Sequence, residues 1–297
     1  VPKPIPCFPE PGQKIENNMP FLQIEPYSIP EGQISTNWQI STDMSFETLI
    51  FETVKSRDID YLPIMEMILN RHISYFWRVR FINENGEYYD WSDVSSFSIT
   101  DTATNDTNQN GIPDSQETKS ITDIDGNGVE DKAQSNLKCI RTILGNGQLC
   151  LKTDDPHIYI ESMKSLSPDT FNINQPYIEM PFGCTAFKTG VFDIGRTVSF
   201  TIYYSKVLPE EFAWYHCDYK NDCYANDEIL SQIGGREIHF TIQDGGKGDI
   251  DGVENGVIVN SSFIDTSVAK DRSDQPSYNA EEAGGMGCFI KSCAMNP

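Results

Sequence analysis

The sequence predicts a mainly β chain, built as two β-sandwich-like domains with an irregular acidic segment between them. Three observations predict this. Runs such as FWRVRF and VSFTIYY alternate or stay apolar for a few residues and are bounded by Gly, Asn and Pro, which is strand patterning. Long helical periodicities are scarce. The 297 residues are enough for about two domains, each with its own core.

Charge and cysteine usage bound the function. The chain carries 44 Asp+Glu against 22 Lys+Arg, a formal net charge of −22. Such a surface repels phosphate backbones, so no nucleic-acid partner is expected. It suits a chain that lives among divalent cations. No apolar run is long enough for a transmembrane helix. The eight cysteines are Cys7, Cys139, Cys150, Cys184, Cys217, Cys223, Cys288 and Cys293. They form no C-x-x-C pair and have no zinc-site spacing, so disulfides in an oxidising compartment are expected. Cys217 and Cys223 bracket the short loop DYKND. Cys139 and Cys150 bracket a hairpin around Gly145-Asn146-Gly147. Both local pairings are open, and sequence alone does not fix the connectivity. The start, VPKPIPCFPEPGQ, reads as the mature end of an exported chain.

The elements follow in order. Residues 1–19 are Pro-rich and without period, so an extended arm is expected. Residues 20–100 read as a β-sandwich with strands at FLQIE, STNWQIS, TLIFETV, YLPIMEMIL, ISYFWRVRFI and SSFSI. Trp38 should point inward. Tyr75, Trp77 and Val79 alternate and should share one face, and Asn85-Gly86 marks a hairpin turn. The stretch ISYFWRVRFINENGEYYDWSDVSSFSI, with Tyr-x-Trp-x-Val and a following W-S, resembles the last strands of a fibronectin type III domain. That resemblance implies a spacer or binding platform.

Residues 101–135 hold two related phrases, DTNQNGIPDSQE at 106 and DIDGNGVEDKAQ at 123. The first fits the calcium-loop pattern D-x-[DN]-x-[DN]-G-x5-E. Asp106, Asn108 and Asn110 supply alternate side-chain oxygens, Ile112 its carbonyl, and Asp114 and Glu117 close the loop. In the second, Asp123, Asp125, Asn127, the Val129 carbonyl and Asp131 take the same places, with Gln134 where Glu would stand. Calcium needs six to eight hard oxygen ligands, and a loop offering oxygens at alternate residues can wrap it. Ca2+ is therefore the expected cofactor, and the joining segment is a calcium-binding linker. No convincing helix flanks either phrase, which argues against an EF-hand. The tandem resembles thrombospondin type 3 repeats, which implies a structural role for the ion.

Residues 136–265 form the second β domain, with strands at QLCLKT, HIYIESM, CTAFKTGVF, TVSFTIYYS, EIHFTIQD and GVIVNSSF. Its phrase DGGKGDIDGVENGVIVN places Asp244, Asp249, Asp251, the Val253 carbonyl and Asn255 at spacings that could bind a further calcium. A Gly-rich turn before the last strand is an equal reading. With SMKSLSPDTFN and MPFGCTAFKTGV upstream, this region resembles the choice-of-anchor U domain of secreted bacterial proteins. The tail, 266–297, ends in GGMGCFIKSC, which resembles a degenerate CFI-box.

No G-x-S-x-G, H-E-x-x-H or P-loop occurs, and the four histidines (His72, His157, His216, His239) stand apart in sequence. No enzymatic activity is expected. The expected function is a secreted calcium-binding structural protein of a bacterial cell surface or extracellular assembly. Its partners would be copies of itself or other surface proteins. The alternative is a carbohydrate- or protein-binding adhesion module with glycan partners, and a hydrolase is third. If Trp214, Tyr215 and Tyr219 cluster on a surface, a sugar platform gains ground; if buried, it loses.

Overall fold

The computed structural model describes residues 3–15, 20–26, 34–56, 59–64, 67–100, 106, 110–118, 123–171, 178–220, 222–225, 230–232 and 235–267. Asn108 and the tail from 268 onward, with Cys288 and Cys293, lie outside the described residues. The architecture is mainly β, in two sandwich-like domains.

The first domain contains β1 (Pro6–Phe8), β2 (Gln13–Ile15), β3 (Phe21–Ile24), β4 (Ile34–Ser41), β5 (Leu49–Ser56), β6 (Tyr61–Pro63), β7 (Ser74–Asn83) and β8 (Ser95–Ile99). A five-stranded sheet of order β2-β8-β7-β4-β5 packs on a three-stranded sheet of order β1-β3-β6. Period-2 patterning explains the core. Along β7, Tyr75, Trp77, Val79 and Phe81 are buried, while Phe76, Arg78 and Arg80 are only partly covered. Trp38 is fully buried and stacks on Trp77 with ring centroids 5.8 Å apart.

Two features differ from the sequence expectation. The Pro-rich arm supplies two strands: β1 pairs antiparallel with β3, and β2 pairs parallel with β8. Among its described residues the YLPIMEMIL segment yields one strand, β6, which stops at Pro63. A proline nitrogen has no hydrogen to extend the ladder. Beyond it, Ile64 and Ile68 still enter the core.

The second domain contains β9 (Leu137–Arg141), β10 (Gln148–Thr153), β11 (Ile160–Leu166), β12 (Cys184–Gly190), β13 (Thr197–Tyr204), β14 (Ala213–Cys217), β15 (Cys223–Ala225), β16 (Leu230–Gln232), β17 (Glu237–Gln243) and β18 (Val257–Asp265). Its sheets run β16-β17-β13-β10-β9 and β11-β12-β18-β14-β15. Between them Phe187, Phe200, Phe240 and Trp214 form one aromatic cluster with centroid spacings of 5.0 to 6.3 Å. Cys139 and Cys150 are directly paired across β9 and β10 and form a disulfide, as do Cys217 and Cys223 across β14 and β15. Among the described residues, Cys7 is an exposed free thiol. Cys184 is a buried one, its pKa pushed up to about 12 by burial.

The linker is not the sole joint, because the domains also pack directly. Ile250 and Val259 of the second domain belong to the first domain's core. The Glu52 N–H donates to the Asp251 carbonyl at 3.1 Å. Tyr219 meets the Phe51 ring edge-on at 5.5 Å, and its hydroxyl lies 3.2 Å from Ser56 Oγ.

Candidate metal centre

The described residues of the two acidic phrases share one hydrogen-bond pattern. In the second, the Asp123 carboxylate accepts the N–H groups of Asn127 and Gly128, both at 3.0 Å. In the first, Asp106 accepts those of Asn110 at 3.1 Å and Gly111 at 2.9 Å. Asn127 Oδ1 accepts from Val129 N–H at 2.7 Å, and Asn110 Oδ1 from Ile112 N–H at 2.9 Å. The Asn127 amide donates to Gln134 Oε1 at 2.9 Å, as the Asn110 amide donates to Glu117 Oε1 at 3.1 Å. Gly111 and Gly128 take φ of +81° and +82°, a left-handed conformation that glycine adopts at little cost. Each loop then closes in a single 3-10 turn, Asp114–Gln116 and Asp131–Ala133.

The second loop brings three predicted ligands together. One oxygen from each of Asp123, Asp125 and Asp131 lies within 4.8 Å of the others. Calcium binds oxygens at about 2.3–2.6 Å, so ligands of one ion sit up to roughly 5 Å apart. The donor set is all oxygen, which suits a hard divalent cation. Asp131, Cys139 and Cys150 also converge, but both sulfurs belong to a disulfide and offer no thiolate.

The electrostatics of this loop couple its acids to one another and to a lysine. Burial raises the Asp131 pKa, and the Asp125 and Asp123 charges add to that. Burial also disfavours the Asp125 carboxylate, yet Lys152 and the Asn127 N–H outweigh it, and its pKa lies below the ordinary value. Lys152 Nζ lies 2.7 Å from Asp125 Oδ2. In the first loop, Lys138 Nζ donates to the Asn110 carbonyl. Both lysines come from the β9–β10 hairpin, so each loop is tied to the second domain by an ammonium group.

The third phrase is hydrogen-bonded in another pattern. Asp244 accepts from the N–H groups of Gly195 (2.8 Å), Gly256 (2.9 Å) and Asn255 (3.2 Å). Asp249 accepts from Gly245 N–H (2.8 Å) and Val259 N–H (2.9 Å). Asp251 accepts from Val253 N–H at 3.0 Å and the Asn255 amide at 3.2 Å, and Asn255 Nδ2 also reaches the Leu49 carbonyl at 3.3 Å. These acids do not converge as closely as Asp123, Asp125 and Asp131 do. Burial raises the pKa values of Asp249 and Asp251; the Asp251 and Asp244 charges add to the first shift and the Asp244 charge to the second. Their side-chain oxygens organise the turn that docks the first domain.

The histidines are spread over the fold. His157 is exposed beside Asp155, whereas His216 is buried against Asn260. His239 lies 3.0 Å from Thr201 Oγ1 and 3.5 Å from Glu237. Its hydroxyl partner Thr201 is buried. Trp214 and Tyr215 are buried and Tyr219 packs on Phe51, so these three make no sugar platform. A cleft of about 190 Å³ lies where the first domain, the first loop and β11–β12 meet. Asn70, Arg71, Asp106, Glu161, Lys164 and Lys188 are among its lining.

Fold and site define a two-domain β-sandwich protein with paired acidic loops. No family model matches the chain, and no curated protein is significantly similar to it. Among solved structures it is similar to the alpha-L-rhamnosidase from Dictyoglumus thermophilum, at 10% identity and a TM-score of 0.27, over 89% of this chain and 28% of that one. It is similar to the FN1–FN3 domains of chicken CNTN1 at 9% identity and 0.26, over 89% and 61%. It is also similar to the Streptomyces avermitilis alpha-L-rhamnosidase complexed with L-rhamnose at 15% identity and 0.27, over 90% and 22%. The chain thus spans less than two thirds of each. The likeness is a loose one of β-sandwich architecture, and nothing about ligand or activity passes from those proteins to this chain.

Proposed function

We propose that the chain is a secreted, non-catalytic adhesion module of a bacterial surface, held rigid by calcium and binding a glycan or protein partner. The supporting observation is the matching hydrogen-bond pattern of the loops at 106–117 and 123–134. In the second loop, Asp123, Asp125 and Asp131, with the Asn127 amide oxygen and the Val129 carbonyl, would hold the ion. In the first, Asp106, Asn110, Ile112, Asp114 and Glu117 stand at the equivalent places. Gln134 in place of Glu117 costs the second loop its bidentate closing carboxylate, while Asp125 in place of Asn108 keeps three acids in each; the lost bidentate ligand makes the second the weaker site. The bound ion supplies positive charge that offsets repulsion among the acids. It would thereby add to the anchors the segment already has, among them Lys138, Lys152, the Gln116–Ser165 pair and the buried Ile112. Two disulfides favour an oxidising, extracytoplasmic setting. Thermal melting and small-angle scattering with calcium and with chelator test this reading: calcium should raise the melting temperature and compact the profile. Identical curves in both would sink it.

A second reading, a subunit of an extracellular assembly, is favoured by the exposed thiol of Cys7 on β1, an edge strand of its sheet. Non-reducing electrophoresis of native material tests it. A reducible ladder of multimers supports it, and a monomer band under all conditions rejects it.

A further inference from the structure

The outward face of the first domain carries a ladder of alternating rings and guanidinium groups. The Arg78 guanidinium carbon lies 4.0 Å from the Phe46 ring centroid and 4.2 Å from that of Trp91. That of Arg80 lies 4.1 Å from Trp91 and 3.7 Å from Tyr88. The order is Phe46, Arg78, Trp91, Arg80, Tyr88. Arg78 Nε donates to Gln39 Oε1, and Arg80 Nε to Asn37 Oδ1, both at 2.9 Å. The two amides pass the contact on to Glu52 Oε1, at 2.8 Å from Gln39 and 3.0 Å from Asn37. Each guanidinium is thus fixed in plane and direction. Their terminal amino groups make no hydrogen bond or ion pair with the described residues.

Charge here is undercompensated. Burial lowers the pKa of both arginines. For Arg78 the neighbouring Arg80 charge lowers it further, and Glu52 offsets this only in part. A chain with twice as many acids as bases has therefore set two unpaired guanidinium forks on one face. They stand two strand residues apart, roughly 6.5–7 Å. Tyr88 ends the ladder with half of its surface open (51% exposed).

We infer that this ladder is a docking surface for an acidic polysaccharide, its carboxylates on the Arg78 and Arg80 forks and a sugar ring on the open side of Tyr88. The inference rests on the adhesion reading and names the partner class. Planar guanidinium forks match carboxylates in bidentate fashion, and charge complementarity favours a polyanion. An extended acidic peptide suits a sheet edge, where its backbone groups find partners. A sheet face presents only side chains, and a polyuronate carries no amide backbone needing partners.

Titration calorimetry of the full chain in calcium-containing buffer tests this, with a galacturonate hexasaccharide as probe and dextran and polyglutamate as controls. The hexasaccharide binds, more weakly as ionic strength rises, and neither control does. R78Q/R80Q, checked for an unchanged melting temperature, loses roughly tenfold or more in affinity. Tyr88→Ala, at an exposed position, loses several-fold and decides the matter if the double variant does not fold. Binding that survives these changes overturns the ladder while leaving the adhesion reading standing. Equal binding of polyglutamate, or no hexasaccharide binding, also overturns the ladder. The adhesion reading itself fails only if a broad panel of surface glycans and proteins is not bound.

Discussion

Lys152 Nζ sits 2.7 Å from Asp125 Oδ2, so a strand of the second domain places a fixed cation inside the second acidic loop. Calcium entering that loop competes with this ammonium for one carboxylate oxygen. Lys152→Met should therefore tighten calcium binding at this loop several-fold at low ionic strength, and less at high salt. The same change should lower stability in chelator, where Asp125 loses its partner. Calorimetric titration of the variant checks this, and unchanged or weaker affinity would count against the competition.

The paired loops allow an internal comparison. Gly111 and Gly128 share a φ near +81°, but a Cβ on Gly111 would lie 2.0 Å from the Glu161 carbonyl oxygen, whereas one on Gly128 would meet nothing within 4 Å. Gly128→Ala should cost about 1–2 kcal/mol, the left-handed conformation alone. Gly111→Ala should cost clearly more, or push the loop off β11 and break the bond from Met163 N–H to the Gly111 carbonyl (2.9 Å). Chemical denaturation of both variants is the measurement, and equal losses would refute the packing argument.

Direct docking predicts cooperative unfolding. With Ile250 and Val259 in the first domain's core and Tyr219 against Phe51, the wild-type chain should melt in one calorimetric transition. Combining Tyr219→Ala with Ile250→Ala should split it into two. A wild type that already melts in two steps would contradict the docking.

His216 gives a pH dependence. Burial first, and the Lys247 charge second, lower its pKa from 6.5 to about 4. As pH falls below 6.5 the unfolded chain takes up a proton that the folded chain refuses until about pH 4. Stability is therefore lost as pH falls through that window, by up to about 3 kcal/mol. His216→Gln should flatten this slope, as denaturation midpoints across the window would report.

Much of this was legible in the sequence, and the misses have physical causes. Alternation in FWRVRF placed Trp77 and Val79 on one face, which proves to be the buried one, and the spacing in DIDGNGVED grouped Asp123, Asp125 and Asp131, which converge. Both signals are local. β2 was not legible because its partner β8 is remote in sequence and only three residues pair. Trp214 and Tyr215 read alike whether exposed or buried. Phe240 and Phe263 decide it, at 5.3 and 5.0 Å. The docking role of the 244–256 turn depends on Leu49 and Glu52, and the ladder needs Phe46 and Trp91 brought to β7 from either side. Neither relation follows from spacing along one segment.

Calorimetric titration of calcium into the metal-depleted chain, repeated with Asp123→Ala and Asp106→Ala, tests the central claim most directly. Saturable binding is predicted, with dissociation constants of about 10⁻⁴–10⁻³ M and one site lost in each variant. No saturable heat in the millimolar range, or variants indistinguishable from wild type, would contradict the calcium-stiffened account.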